Sequence, residues 1–355
     1  MDILRGLLAF GVMCYHYSLW SAAHVDVFAR SFLSKIGIYG VETFFIISGF
    51  SLLYVYRYTD FSLRSNTLNF YWKRFWRIAP LFYFAVFLVL VLKGIATRVL
   101  HEPTASGIET GRILLNVSFL FGLLNPAASM VVAGWSIGVE MVFYLLFPVA
   151  AWMSSIRFGL PVLFIASWIS AAIFASVTLS PAHSLADQWP LYVFFLNHWF
   201  FFVGGMLLVP LRERYRFSPL LFWITVPILL LFLVWDLAYA SDESLLVVGY
   251  QRHLLSLVCF MIAFLFSTQR FQEGKVREAL VHLGNVSYSV YLLHFFSYLA
   301  LSRVLKGFSM PVVVGAAVLL TVVAASVTYR FLERPLMRFS HRSMWGVAST
   351  SGPTE

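Results

Sequence analysis

Long apolar runs recur along this chain, each bounded by charged or turn residues. Runs of about 18 to 25 such residues predict membrane-spanning helices. They fall near 3–20, 35–56, 79–99, 129–152, 159–177, 189–210, 218–239, 248–267, 283–305 and 310–330, about ten in all. A shorter apolar run at 113–124 is too short to span and predicts an interfacial or re-entrant piece. No internal repeat is visible, although a transporter built from inverted repeats often shows one.

Composition supports the same picture. Of 355 residues 60% are hydrophobic and 12% charged, against about 25% charged in a soluble domain. The expected fold is all-α: a polytopic membrane helical bundle forming a single domain over 1–340, with a disordered cytoplasmic tail at 341–355. The net charge of +9 is gathered in alternate loops, so it reports orientation rather than nucleic-acid binding. The basic groups lie at 57–77, 212–216, 270–277 and 330–342, which puts both termini in the cytoplasm, as does an even number of spans. Arg303 and Lys306 oppose this and are outnumbered. Cys14 and Cys259 fall in apolar segments and predict no disulfide. Arg5 and His16 interrupt the first apolar run, and no small-residue cleavage site follows it, so it does not read as a cleavable signal.

Arg5 and His16 are the central candidates. Eleven residues at 100° each make three turns and about 20°, so both lie on one face of the first helix, roughly 16 Å apart along its axis. Ionisable groups inside a membrane are costly and mark a functional path by default. Such a face suits a long ligand with an anionic head. Helix 2 carries Glu42 at a depth matching His16, so a Glu42–His16 acid–base dyad is expected, the bland alternative being two groups that merely satisfy each other.

Arg74 and Arg77 are spaced i, i+3 with Trp72 and Trp76 interleaved. Alone they would read as an interfacial anchor; beside Arg5 they read as a phosphate clamp. Ser136, Glu140 and Tyr144, at i, i+4 and i+8, form a polar stripe on helix 4, where Glu140 is as well suited to a structural arginine pair as to catalysis. Tyr288, Tyr291 and His294 make a second polar face, on helix 9, and His198 with Asn197, and Asp236, are lesser candidates. The nine histidines show no metal-ligand spacing, and no P-loop or dinucleotide fingerprint is present.

Six segments together resemble the acyltransferase-3 family of integral membrane acyltransferases: "LRGLLAFGVMCYH" with its Arg-x10-His pattern, "GVETFFIISGF", "KRFWRIAP", "WSIGVEMVFYLLFP", "GNVSYSVYLLH" and "RFLERP". The resemblance covers most of the chain. It implies about ten transmembrane helices in a bacterial cytoplasmic (inner) membrane. It also implies transfer of an acyl group, usually acetyl, from cytoplasmic acyl-CoA to a hydroxyl of a surface polysaccharide, lipid-linked sugar or oligosaccharide. By the same resemblance Arg5 and His16 are the essential pair, Glu42 is the acid of the second block, Arg74 and Arg77 are the basic pair before helix 3, and Glu140 is the acid of "WSxxxE". Family members often carry several residues before the first helix, so the true start is expected to be longer or the N-terminus short. Many also carry a soluble C-terminal domain, so acceptor recognition is expected to fall to the loops or a partner.

The expected chemistry places the phosphates of acetyl-CoA on Arg74, Arg77 and Arg5 and its thioester near His16. His16, oriented by Glu42, takes the acceptor proton or is itself acylated. Ser136, Tyr144, Tyr288, Tyr291 and His294 are the candidates for positioning substrate. No metal is expected. The competing reading is a transporter or exporter of a polysaccharide or lipid-linked sugar, which would also place His and Glu in the membrane.

Overall fold

The computed structural model describes residues 1–21, 27–98, 109–235 and 243–340. Asp236 and the tail at 341–355 lie outside the described residues. The chain opens with α1 (Asp2–Trp20), α2 (Val27–Tyr56) and α3 (Arg64–Arg98). Two short helices, α4 (Thr110–Val117) and α5 (Phe121–Leu124), lead into α6 (Trp135–Ser154) and α7 (Gly159–Thr178). A single turn, α8 (Trp189–Tyr192), and a 3₁₀ turn at Phe195–Asn197 precede α9 (Trp199–Arg214) and α10 (Pro219–Trp235). After the turn α11 (Glu243–Leu246) come α12 (Gly249–Thr268), α13 (Lys275–Asn285) and α14 (Ser287–Val304). Finally α15 (Met310–Thr328) continues through one π turn, Tyr329–Glu333, into α16 (Arg334–Ser340). No strand occurs among the described residues.

Seven helical segments among the described residues are long and apolar enough to cross a membrane: Ser31–Tyr56, Arg64–Thr97, α6, α7, Phe195–Arg214, α12 and Met310–Ser340. The other expected spans coincide with α1, α10 and α14. α1 and α14 carry the polar side chains of the candidate site.

The boundaries differ from the sequence expectation where polarity and helicity part company. α3 begins at Arg64 instead of 79, because residues 64–78 mix Arg and Lys with aromatic residues: too polar for an apolar run, yet helical throughout. Arg74 and Arg77 therefore sit inside a continuous helix, with Pro80 in its interior. Such a proline is tolerated where neighbouring groups re-satisfy the freed carbonyl. The run expected at 189–210 is broken. The Asn197 side chain donates to the carbonyls of Leu191 (2.9 Å) and Tyr192 (3.0 Å), capturing groups that a straight helix would need. The run at 113–124 splits at Phe119, whose φ is +59°, and Asn116 fastens it to the approach to α6 through Ala128 and Met130.

α2 is the most enclosed of the seven spans, whereas α3, α7 and the 310–340 segment lie at the rim. α2 packs against α1, α9 and α12, most extensively α9. That contact is backbone on backbone: a Cβ at Gly49 would strike the Phe202 carbonyl, and one at Gly205 the Ile46 carbonyl. In lipid, where helices gain little from hydrophobic exclusion, small residues at such crossings supply van der Waals contact.

Candidate active site

A cavity of about 330 Å³ opens between α1, α2, α3, α6, α14 and α16. Its polar lining includes Arg5 from α1, Ser48 and Ser51 from α2, Arg74 and Arg77 from α3, Ser136, Glu140 and Tyr144 from α6, and Tyr288 and Tyr291 from α14. Residues expected from four sequence segments thus meet around one space. Each polar stripe reaches it because i, i+4 spacing keeps a helix's side chains on one face.

The three arginines differ in their tethers. Arg5 Nη2 donates to Ser51 Oγ at 2.9 Å, and its Nη1 lies 3.4 Å from Asp2. Arg77 Nη1 pairs with Glu333 Oε2 at 3.3 Å and lies 2.8 Å from the Met337 sulfur. Arg74 has no carboxylate partner among the described residues. Its guanidinium lies about 6 Å from the rings of Tyr56, Phe70 and Tyr144, and its buried Nε has no hydrogen-bond partner. A cation held against aromatic faces, with donors unspent, is suited to an anionic guest. Glu140 is held by hydroxyls: Tyr144 OH donates to its Oε1 at 2.6 Å and Ser48 Oγ at 2.7 Å. The arginine pair considered for it does not form among the described residues.

His16 lies beyond the cavity, and its partner is not Glu42. Its Nδ1 is 3.0 Å from His294 Nε2, and the two rings stack with centroids 4.9 Å apart. Trp20, one turn on, lies nearly parallel to both rings, at 15° to His16 and 11° to His294. Tyr17 donates to the His294 carbonyl at 2.9 Å and shares a 2.7 Å hydrogen bond with Thr321, fixing this part of α14 against α1 and α15. Between cavity and histidine pair stands Tyr291. Its hydroxyl donates to the Ala133 carbonyl at 3.0 Å and shares a 2.9 Å hydrogen bond with Ser136, while its ring is 6.2 Å from that of His294.

Glu42 points elsewhere. Both its oxygens bond His198 Nδ1, at 2.8 and 2.9 Å, and Tyr192 OH donates to it at 3.2 Å. His198 Nε2 meets the Tyr192 carbonyl at 2.8 Å, and Arg252 donates to the Asn197 carbonyl at 2.7 Å. This network, fully enclosed, pins the broken 189–198 stretch to α2 and α12. The expected Glu42–His16 dyad is therefore corrected. The mismatch is one of helix face. Gly37 and Gly40 are the α2 residues facing α1, against Tyr15 and Val12. Glu42, two residues past Gly40, is turned about 200° away.

Sequence reasoning named His198 without its partner and missed Glu333, Ser48, Ser51 and Met337 altogether. The available signal for Glu333 was an acid inside the closing "RFLERP" block, and for the serines their i, i+3 spacing on α2.

The sequence model of the acyltransferase-3 acyltransferase domain matches residues 1–330. The chain belongs to the acyltransferase-3 family. It is similar to the exopolysaccharide production protein ExoZ of Rhizobium meliloti (strain 1021), at 29% identity over 325 residues, covering 85% of this chain and 90% of that protein. No solved structure matches. As an acyltransferase-3 member the chain is a membrane acyltransferase, and the transporter reading gives way to group transfer. Among the described residues no group of three or more His, Cys, Asp or Glu is placed to hold a metal ion.

Proposed function

We propose that this acyltransferase moves an acetyl group from cytoplasmic acetyl-CoA to a hydroxyl of an exported carbohydrate such as a surface polysaccharide. In this reading ten helices cross the bacterial inner membrane and both termini are cytoplasmic. The observation that carries the proposal is the cavity itself: Arg5, Arg74 and Arg77 line it, and it runs to the Ser136–Tyr291 pair, one helical turn short of His294 and His16.

The guanidiniums balance the donor's phosphates, with Arg74 contributing most because its charge is unspent. The thin acyl-bearing arm extends along the α1–α6 wall toward Tyr291. His16 acts as general base through Nε2. That nitrogen is bare when Nδ1 carries the proton and donates it to His294 Nε2, so His294 fills the orienting role that Glu42 was expected to play. The acceptor O–H gives its proton to His16, its oxygen forms a bond to the thioester carbonyl carbon, and the C–S bond breaks. The departing thiolate then takes the proton from the imidazolium. Glu140, with its two hydroxyl donors, and Ser136 line the path and position the donor. Glu42 supports the site from behind through Phe45 and Trp135, whose rings pack on His198. The similarity to an exopolysaccharide production protein supports a polysaccharide acceptor.

The test is calorimetric titration of detergent-purified protein with acetyl-CoA, followed by transfer of labelled acetyl to carbohydrate in native membranes. Micromolar binding that Arg74→Ala abolishes supports the donor assignment; no binding by the wild type overturns it.

A further inference from the structure

Glu333 is buried, with 3% of its surface exposed, at the end of the π turn that joins α15 to α16. A lone carboxylate there would be expensive, and two partners meet it. Arg77 Nη1 pairs with Oε2 at 3.3 Å, and Ser289 Oγ of α14 donates to Oε1. Met337, four residues on and so on the same face of the chain, brings its sulfur to 2.8 Å from the same Arg77 nitrogen and lines the cavity. One guanidinium nitrogen is thus held between two side chains of one short segment, and Arg77 itself lines the cavity.

The π turn makes this register possible. An α-helix running straight from α15 would present residues 333–340 rotated by about 100° from the orientation they have here. α15 itself is packed along α14. Without the inserted residue, Glu333 and Met337 would swing away from Arg77 together. Single π turns are common where a helix must re-aim a functional side chain.

We infer that Glu333 is a positioning residue of the acyltransferase: from the π turn at 329–333, braced by Ser289, it aims the Arg77 guanidinium into the cavity to bind an anionic phosphate group of the donor. This rests on the donor reading above. It also assigns a task to the "RFLERP" segment: the C-terminal end of the domain forms one wall of the donor site.

The experiment measures acetyl-CoA affinity by calorimetry in the full-length detergent-purified wild type, Glu333→Gln, Ser289→Ala and Arg74→Ala, with thermal unfolding of each and, in membranes, KM for acetyl-CoA beside kcat. Glu333→Gln keeps the shape and removes the charge that holds Arg77. It is expected to weaken donor binding about tenfold, the scale of one charge-assisted hydrogen bond, raising KM with kcat little changed. Ser289→Ala keeps both charges and loosens only the brace, so it is expected to shift donor affinity in the same direction by less; it serves as the deciding variant if Glu333→Gln does not fold. A folded Glu333→Gln protein that binds acetyl-CoA as tightly as wild type overturns the positioning role. One that binds more tightly also overturns it, because Glu333 would then only neutralise Arg77. Wild type that binds no acetyl-CoA overturns the donor reading and this inference with it; loss in Arg74→Ala but not in Glu333→Gln overturns this inference alone.

Discussion

His16 and His294 face each other across the α1–α14 interface, with Nδ1 of the first 3.0 Å from Nε2 of the second and Trp20 lying flat over both rings. An imidazole whose inner nitrogen is engaged by another imidazole has one tautomer in which the outer nitrogen is bare, and so one orientation in which it can accept a proton. This pairing separates two effects that mutation can resolve. His16→Ala is expected to reduce transfer by about 10²–10⁴-fold while acetyl-CoA affinity stays within about twofold, since His16 lies outside the arginine-lined cavity. His294→Ala is expected to lower kcat by a smaller factor, with His294→Gln recovering part of it, because a glutamine amide can still accept from His16 Nδ1. Equal activity of wild type and His16→Ala membranes would remove His16 from the chemistry.

Arg74 and Arg77 share a helix face but are expected to fail differently when truncated. Arg74 has no carboxylate partner among the described residues, so Arg74→Ala should lose donor affinity with little change in the unfolding midpoint. Arg77→Ala leaves Glu333 enclosed without its counter-charge, a loss on the order of 3–5 kcal/mol where pairing is tight. Arg77→Ala/Glu333→Ala should recover much of that stability without recovering donor affinity. Unfolding midpoints in detergent, set beside calorimetric titrations, check the pattern. A strongly destabilised Arg74→Ala would contradict it.

For Glu42 the expected defect is in folding. Its carboxylate is committed to His198 and Tyr192, and removing the charge loosens the broken stretch before α9. Glu42→Gln should lower the unfolding midpoint and the yield of folded protein while leaving KM for acetyl-CoA near wild type. A folded, thermally normal Glu42→Gln protein with kcat down a hundredfold or more would restore Glu42 to the chemistry.

The α2–α9 crossing tolerates no side chain at Gly49 or Gly205. Gly205→Ala should cost about 1–3 kcal/mol through forced separation of the two backbones. Gly315, which has nothing within contact distance of an added Cβ, is the matched control and should accept Ala without loss. Comparable unfolding midpoints for the two variants would contradict the close packing described.

Much of this site was legible because polarity inside an apolar run is informative on its own. Arg5, Glu140, Tyr144, Tyr288 and Tyr291 each stood out as polar groups within segments read as membrane-spanning, and helical periodicity put them on faces that do converge on one cavity. What periodicity could not supply was which face of α2 meets which neighbour. Gly37 and Gly40 held that information, as the positions where α1 approaches, and reading them would have turned Glu42 away from His16. Helix interruptions were also hidden. The break before α9 depends on one asparagine side chain capturing two carbonyls, and the π turn depends on packing between α15, α14 and α3, interactions that join residues far apart in the chain. The extension of α3 below Pro80 escaped for a different reason. Apolar-run length measures how much of a helix suits hydrocarbon, and the helix itself continues past that point.

The Ser136–Tyr291 hydrogen bond has one more consequence. A bundle with a charged hollow and a polar histidine pair further along its first helix is close to being a conduit, and a continuous file of water through it would let protons run down the membrane potential. Tyr291, bonded to both Ser136 and the Ala133 carbonyl, stands with its aromatic ring between the hollow and the histidine pair. In the proposed reading the donor's acyl arm passes this same ring, so turnover and insulation would compete for a single side chain.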